Sequence, residues 1–342
     1  MMNQGWIAVL CSAMIGCVGG DASDEATNES EAAIAVSPQT VYTFSASSGT
    51  GVVIRLVDTV RTSARPAFTV KNPAGATVAS GSGEDVAAAS FSANATGIFS
   101  IAISDASSQP SPLTSFGLNI AVAPGSHTGG ALSPGNVMPG HIDLGELDSY
   151  TFTASVGEGI VLRAADLAGG ALVPAFNVYG PTGSLVNWTW GYDVASLAFA
   201  APATGTYTVV LYDNSGGFAA AGDYNLYYVK APGAHKGGAL NAGDVVFEHV
   251  AKGELDSYTF AALTGDTIGV TVADIAAGGF VPAFNIYGPT GDFVTWTWAY
   301  DLAGLAFSAP ASGTYTLVIY DNSGGFAATG DYRLDFKRTP KL

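Results

Sequence analysis

Beyond Cys17 the chain has no cysteine: the only two are Cys11 and Cys17, both inside the first stretch of residues. No disulfide framework and no cysteine metal site is available to anything that follows. Basic residues are also scarce, with 12 Lys and Arg against 28 Asp and Glu and a net charge of −16. That balance argues against nucleic acid and anionic lipid surfaces as partners, and is compatible with binding cations. Long apolar runs are missing as well. Ile7-Ala8-Val9-Leu10-Cys11-Ser12-Ala13-Met14-Ile15 is too short to span a bilayer in the ordinary way and reads as the apolar part of an export signal. No G-x-S-x-G elbow, phosphate loop, H-E-x-x-H or nucleophile–His–acid set occurs. The sequence therefore predicts no enzyme.

What is present is repetition. Gly145-Glu146-Leu147-Asp148-Ser149-Tyr150-Thr151-Phe152 returns as Gly253 to Phe260, an offset of 253 − 145 = 108 residues. Val173 to Asn177 returns as Val281 to Asn285, and Asp213-Asn214-Ser215-Gly216-Gly217 as Asp321 to Gly325. A weaker copy precedes both, with Tyr42-Thr43-Phe44, Arg65-Pro66-Ala67-Phe68, Asp85, Gly97 and Asp105 in register. Three tandem domains of about one hundred residues follow, a normal domain size. Their expected bounds are 33–124, 125–232 and 233–342, after a signal over 1–17 and an acidic, flexible tether over 18–32. The signal ends in Met14-Ile15-Gly16-Cys17, which resembles a bacterial lipobox with acylation at Cys17. It departs from that pattern in Met14 for the usual Leu and in having no Lys or Arg before Ile7. A membrane contact through a lipid at Cys17, at the outer membrane or cell surface, is the implied address; plain secretion is the alternative.

Apolar alternation with a period of two predicts strands near 136–143, 148–155, 159–165, 173–179, 184–190, 195–200, 205–212 and 223–229 of the middle copy. Tyr207, Val209 and Leu211 share the face of Phe99, Ile101 and Ile103 of the first copy, so that face is the core side. Phe68, Phe176 and Phe284 are core anchors for the same reason. Short strands without a helical stretch predict an all-β chain of three tandem β-sandwich domains of jelly-roll or Greek-key type. The run Gly-Glu-Leu-Asp-Ser-Tyr-Thr-Phe, then Tyr-Gly-Pro-Thr-Gly, then Gly-Thr-Tyr-Thr-Val before Gly222-Asp223-Tyr224 resembles the bacterial pre-peptidase C-terminal (PPC) domain. That resemblance implies a β-sandwich of secreted and surface proteins. PPC domains usually accompany a catalytic domain, and none is read here.

Antiparallel strands put every second connection at one pole of a sandwich. Asp148, Asp166, Asp193, Asp213 and Asp223 should gather there, as should Asp256, Asp274, Asp301, Asp321 and Asp331 in the third copy. Unit charges about 6 Å apart repel by roughly 0.7 kcal/mol even in water, so a cation is one way to compensate them. Calcium is the candidate, because it takes carboxylate and loop-carbonyl oxygens. The alternative is turn chemistry, in which an Asp side chain binds the backbone two residues on. An even strand number would place the termini of each domain at the opposite pole, so that linkers join plain ends and leave acidic ends free.

The other constellation is Trp188-Thr189-Trp190, repeated as Trp296-Thr297-Trp298 and followed by Tyr192 or Tyr300. Paired aromatics in a strand are either a sugar-stacking platform or core. The first copy has Ser80 and Ser82 there, so the fold does not demand Trp. Alternation with Val186 points the pair inward, toward the rim of the core. The histidines His127, His141, His235 and His249 have no metal-ligand spacing. The leading expectation is a non-enzymatic surface binding or adhesion protein, with a polysaccharide or surface protein as partner and calcium as candidate cation. A structural spacer or accessory subunit is the alternative, and a hydrolase using Asp193 and Asp213 the third. Binding is expected in the outer two copies, with the first as pedestal.

Overall fold

The computed structural model describes residues 41–342, apart from 62, 109–112, 114, 126–128, 168, 170, 171, 234, 235 and 277. Cys17, the tether and the linker histidines His127 and His235 lie outside the described residues. The first sandwich is made of β1 (Val41–Ala46), β2 (Gly51–Asp58), β3 (Pro66–Lys71), β4 (Thr77–Ser82), β5 (Val86–Ser92), β6 (Gly97–Asp105) and β7 (Phe116–Ala123). The second is made of β8 (Val137–Ile142), β9 (Asp148–Ala154), β10 (Gly159–Asp166), β11 (Pro174–Tyr179), β12 (Leu185–Trp190), β13 (Val194–Ala200), β14 (Gly205–Asp213) and β15 (Gly222–Ala231). The third begins with a two-residue strand, β16 (Ala239–Leu240). It continues with β17 (Val245–Val250), β18 (Asp256–Ala262), β19 (Thr267–Asp274), β20 (Pro282–Tyr287), β21 (Phe293–Trp298), β22 (Leu302–Ser308), β23 (Gly313–Asp321) and β24 (Gly330–Thr339).

In the second sandwich the sheets run β12-β11-β14-β9 and β13-β10-β15-β8. β8 pairs β15, β9 pairs β14, β10 pairs β13 and β11 pairs β12, the nested pairing of a jelly roll. The described residues are therefore all-β, with three sandwiches in tandem, as the alternation and the repeat predict. Each has one apolar core. Phe152, Phe176, Tyr207, Val209, Leu211, Ile160, Leu162 and Leu226 fill the second, and Phe68, Phe99, Ile101 and Ile103 belong to the first. Phe284 sits fully buried in the third. Phe152 stacks on Tyr207 with centroids 5.0 Å apart, and Phe260 on Tyr315 at 5.2 Å.

Alternation alone fails in β10, where all eight residues are buried. Both of its faces are covered, because the sandwiches stack sheet against sheet. The outer face of β10, β13 and β15 (Val161, Ala165, Val194, Tyr227, Val229) meets Leu255, Tyr287 and Val318 of the third sandwich. In the same way Val53, Ala121 and Ala123 of the first meet Ala175, Tyr179, Val210 and Tyr212 of the second.

One arginine lies in each seam. Arg55 has its guanidinium carbon 4.7 Å from the ring centres of both Tyr212 and Phe218. Arg163 stands 4.5 Å from Tyr320 and 4.6 Å from Phe326, and donates to the Asp321 carbonyl at 3.2 Å and to Ser196 Oγ at 3.1 Å. Burial lowers both guanidinium pKa values, that of Arg163 to about 10. A cation between two ring faces is attracted by their quadrupoles, by about 2 kcal/mol or more once water is excluded.

The repeated Asp-Asn-Ser-Gly-Gly loop builds the aromatic half of this joint. Asp213 accepts from the backbone N–H of Val173, Ser215 and Ala220 at 3.0–3.1 Å, and from the Ser215 hydroxyl at 2.5 Å. Gly217 then takes φ 83° and Phe218 φ 55°, a left-handed pair that turns the ring onto Arg55. Phe326 repeats this at φ 56°. A non-glycine residue there costs about 1–2 kcal/mol, and both copies keep it where the ring covers an arginine.

The linkers depart from the expected course. β15 ends at Ala231, paired with Gly159 at the plain pole. The chain next appears beside Ser257, whose carbonyl accepts from Gly237 N–H at 3.0 Å, and β16 runs parallel to β18. It thus enters the third sandwich from the acidic pole, and Ala131 bridges Thr151 in the same parallel sense. The extra strand reverses the even-strand expectation. Acidic ends are not left free either, since Lys252 of the third sandwich reaches Asp193 of the second at 2.9 Å.

Candidate functional site

Strand register places the aspartates at one pole, as alternate connections require: Asp148 lies opposite Leu211, Asp213 opposite Pro174, Asp166 opposite Tyr224 and Asp223 opposite His141. Their carboxylates are taken up separately. Asp213 and Asp321 organise the seam loops. Asp223 pairs with His141 at 2.6 Å and Asp331 with His249 at 2.7 Å. Asp193 holds Lys252, and Asp274 accepts from Ala276 N–H two residues on at 3.0 Å. Asp166 is fully buried and its backbone N–H donates to the Asp193 carbonyl, as that of Asp274 does to the Asp301 carbonyl. Among the described residues no three His, Cys, Asp or Glu side chains gather at metal-ligating distance.

Asp148 and Asp256 anchor a buried relay instead. Tyr258 and Tyr332 share a hydroxyl hydrogen bond of 2.7 Å, and Tyr332 donates to Asp256 at 2.9 Å. Tyr150, Tyr224 and Asp148 make the same chain, Tyr224 donating to Asp148 at 2.5 Å. Burial, seconded by Glu254, pushes the Asp256 carboxyl up to about 6. Burial also raises Asp148 and holds the Tyr258 phenol at about 12.

The tryptophans face outward, which corrects the inward expectation. Trp188 is 56% exposed and Trp190 43%, and in the third sandwich Trp296 is 49% and Trp298 42% exposed. The reason is a β-bulge. Val178 pairs with Asn187 and Tyr179 with Leu185, leaving Val186 as the extra residue. Val186 still packs on the core, but past the bulge the parity is reversed. Trp190 then lies opposite Ala175 and Trp188 opposite Asn177, residues whose neighbours Phe176 and Val178 point into the core. Val294 is the matching extra residue, between Thr295 and Phe293.

Each pair extends into a platform. Tyr192 stands edge-on to Trp190 at 5.3 Å, and Tyr300 to Trp298 at 5.7 Å. Leu185 and Phe293 prolong the row on the same face, and all are exposed. β12 and β21 are edge strands, so the rows lie at the margin of faces whose middle is buried in the seam or, for the third sandwich, its counterpart. The sequence signals for the seam residues were weaker. A lone Arg recurring at 55 and 163 inside apolar strands, with Thr271 in the third copy, is the clue that period-two reading passes over.

No family model matches the chain, and no curated protein matches it. Among solved structures, the pre-peptidase C-terminal domain of a collagenase from Bacillus anthracis is similar at 19% identity and TM-score 0.25, over 29% of this chain and 93% of its own. The tandem CBM22 domain of Xyn10C from Paenibacillus barcinonensis is similar at 10% identity and TM-score 0.20, over 56% of this chain and 82% of its own. A triple jelly roll from an archaeal virus covers 90% of this chain and 84% of its own at 10% identity and TM-score 0.19.

Proposed function

We propose that the chain is an exported, non-catalytic binding protein that meets a polysaccharide or a surface protein through its two Trp–Trp–Tyr platforms. One observation carries this reading. The same aromatic set stands exposed in both outer sandwiches, at a strand position that the first sandwich fills with Ser80 and Ser82. Exposed Trp and Tyr gain apolar burial and keep a polar edge when a partner covers them, which is why they concentrate at binding surfaces. The reading does not depend on calcium.

Titration by tryptophan fluorescence and calorimetry against polysaccharides and surface extracts tests it. Changing Trp188, Trp190, Trp296 and Trp298 together to Ala is expected to abolish binding and leave the melting temperature nearly unchanged. Binding that survives all four changes would overturn the proposal. Acylation at Cys17 belongs to the same reading: Cys17→Ser should move the protein from the membrane fraction to the medium, and an unchanged distribution counts against the anchor.

The buried arginine seams favour a second reading, a rigid spacer that holds a partner enzyme away from the surface. Loss of a co-purifying enzyme on disrupting a seam, with no ligand bound by the platforms, would decide for it.

A further inference from the structure

Each platform lies beside a seam, and the two seams are built alike. The seam between the first and second sandwiches and that between the second and third use corresponding residues. Arg55, Tyr212 and Phe218 in one match Arg163, Tyr320 and Phe326 in the other. A Cβ on Gly51 would meet Tyr179, and one on Gly159 would meet Tyr287, in the same manner. One spatial operation therefore carries each sandwich onto the next, and it carries the row on β12 onto the row on β21. The two rows are separated by two sheet-to-sheet steps, about 20 Å at roughly 10 Å per step. Within a row, Trp188 and Trp190 project from positions about 6.8 Å apart along an edge strand. A linear row suits an extended ligand.

Charge narrows the ligand further. From Leu185 to Tyr192, and at the matching positions 293–300, there is no Lys or Arg; Asp292 and Asp301 stand close by in sequence, and Asp193 is paired with Lys252. With a net charge of −16, the chain repels polyanionic glycans and a second copy of itself. Indole faces suit the apolar C–H face of an uncharged sugar ring.

Resting on the proposal that the platforms are the binding surface, we infer that both engage one extended, neutral polysaccharide chain at once, at a spacing held by the Arg163 seam. Arg163 is then a positioning residue that touches no sugar. A rigid spacing turns the second contact into an intramolecular event, so avidity appears for a polymer and not for a fragment too short to span about 20 Å.

The test uses the full chain with soluble mixed-linkage β-glucan, xylan and galactomannan, and with the trisaccharide of whichever polymer binds. The double variants Trp188→Ala/Trp190→Ala and Trp296→Ala/Trp298→Ala should each lower polymer affinity about 100-fold or more and halve the number of trisaccharide sites. Arg163→Ala should lower polymer affinity while leaving trisaccharide affinity and site number as they were. Phe326→Ala serves as the second seam variant if Arg163→Ala misfolds by circular dichroism. A twofold loss in the Trp variants, full affinity retained by one platform, or no effect of either folded seam variant would overturn the inference while leaving the binding surface in place. Binding unchanged without all four Trp would instead sink the surface itself. Binding of only an anionic polymer or a protein, no binding of any of the three polymers, or a self-associated form that the Trp variants dissociate, also overturns it.

Discussion

Arg163 and Thr271 hold the same place in two sandwiches of nearly the same sequence, 271 − 163 = 108 residues apart, and their surroundings are opposite. Arg163 is buried between two rings of the next sandwich, in a strand with no exposed residue. Thr271 is only half-buried, flanked by Gly269 and Ala273, with Arg333 and Lys337 exposed on the neighbouring strand β24. At the other end Ser80 and Ser82 replace a Trp pair on a face of the first sandwich that carries Thr43, Ser45, Ser100 and Ser104. Divergence between the copies thus reports what each face meets, while the core stays constant.

Arg163→Ala should cost about 2–4 kcal/mol in urea unfolding, from the lost ring contacts and the cavity left in the seam. Thr271→Ala should stay within about 0.5 kcal/mol. Equal costs would mean that the seam contributes nothing.

A middle-sized effect separates Asp256 from Asp148. The folded Asp256 carboxyl, at about 6 against an ordinary 3.8, holds its proton more tightly than the unfolded one does. Stability should therefore fall as pH rises from about 4 to about 6, and remain lowered above that range. Asp256→Asn should remove this slope and gain roughly 1–3 kcal/mol at pH 7–8. Asp148→Asn should gain less, since burial raises that carboxyl against the Tyr224 hydrogen bond and His141, which both favour its ionised form. A flat urea midpoint from pH 4 to 7 in the parent chain would refute the shift.

The smallest effect concerns Lys252, whose pairing with Asp193 crosses the seam between side chains 22% and 44% exposed. Lys252→Ala should cost about 0.5–1 kcal/mol, and less at high salt. Asp301→Ala, at the position matching Asp193 on the exposed end, should cost nothing measurable by the same melt. An equal loss at both positions would erase the distinction between a face in the stack and one at its end.

Much of the fold was legible in the sequence because strands with one buried face write their parity into the chain. Tyr207, Val209 and Leu211 declared the core side, and all three are fully buried. The acidic pole followed from counting connections. Three things escaped for physical reasons. One extra residue at Val186 reverses the face of everything beyond it, and the chain carries no mark that distinguishes a bulge from a regular strand. Gly159 to Asp166 is buried on both sides, so its alternation is erased by the neighbouring sandwich. Ala239–Leu240 is too short to show any period, yet it decides from which pole the linker enters. Shared location also does not imply shared ligand. The aspartates reach one pole, but Tyr224, His141, Lys252 and backbone N–H groups each claim a carboxylate first.

The arginine joint has two unlike halves, and only the second sandwich carries both: Tyr212 and Phe218 on one side, Arg163 on the other. It is the one unit that could be copied in place, because a duplicate would find a ring pair waiting after it and an arginine before it. A unit added beyond Thr271 would meet a face with no arginine at that place, its cations Arg333 and Lys337 standing on β24 instead. Lengthening such a chain is therefore a matter of insertion, and its reach would grow from the middle in whole steps.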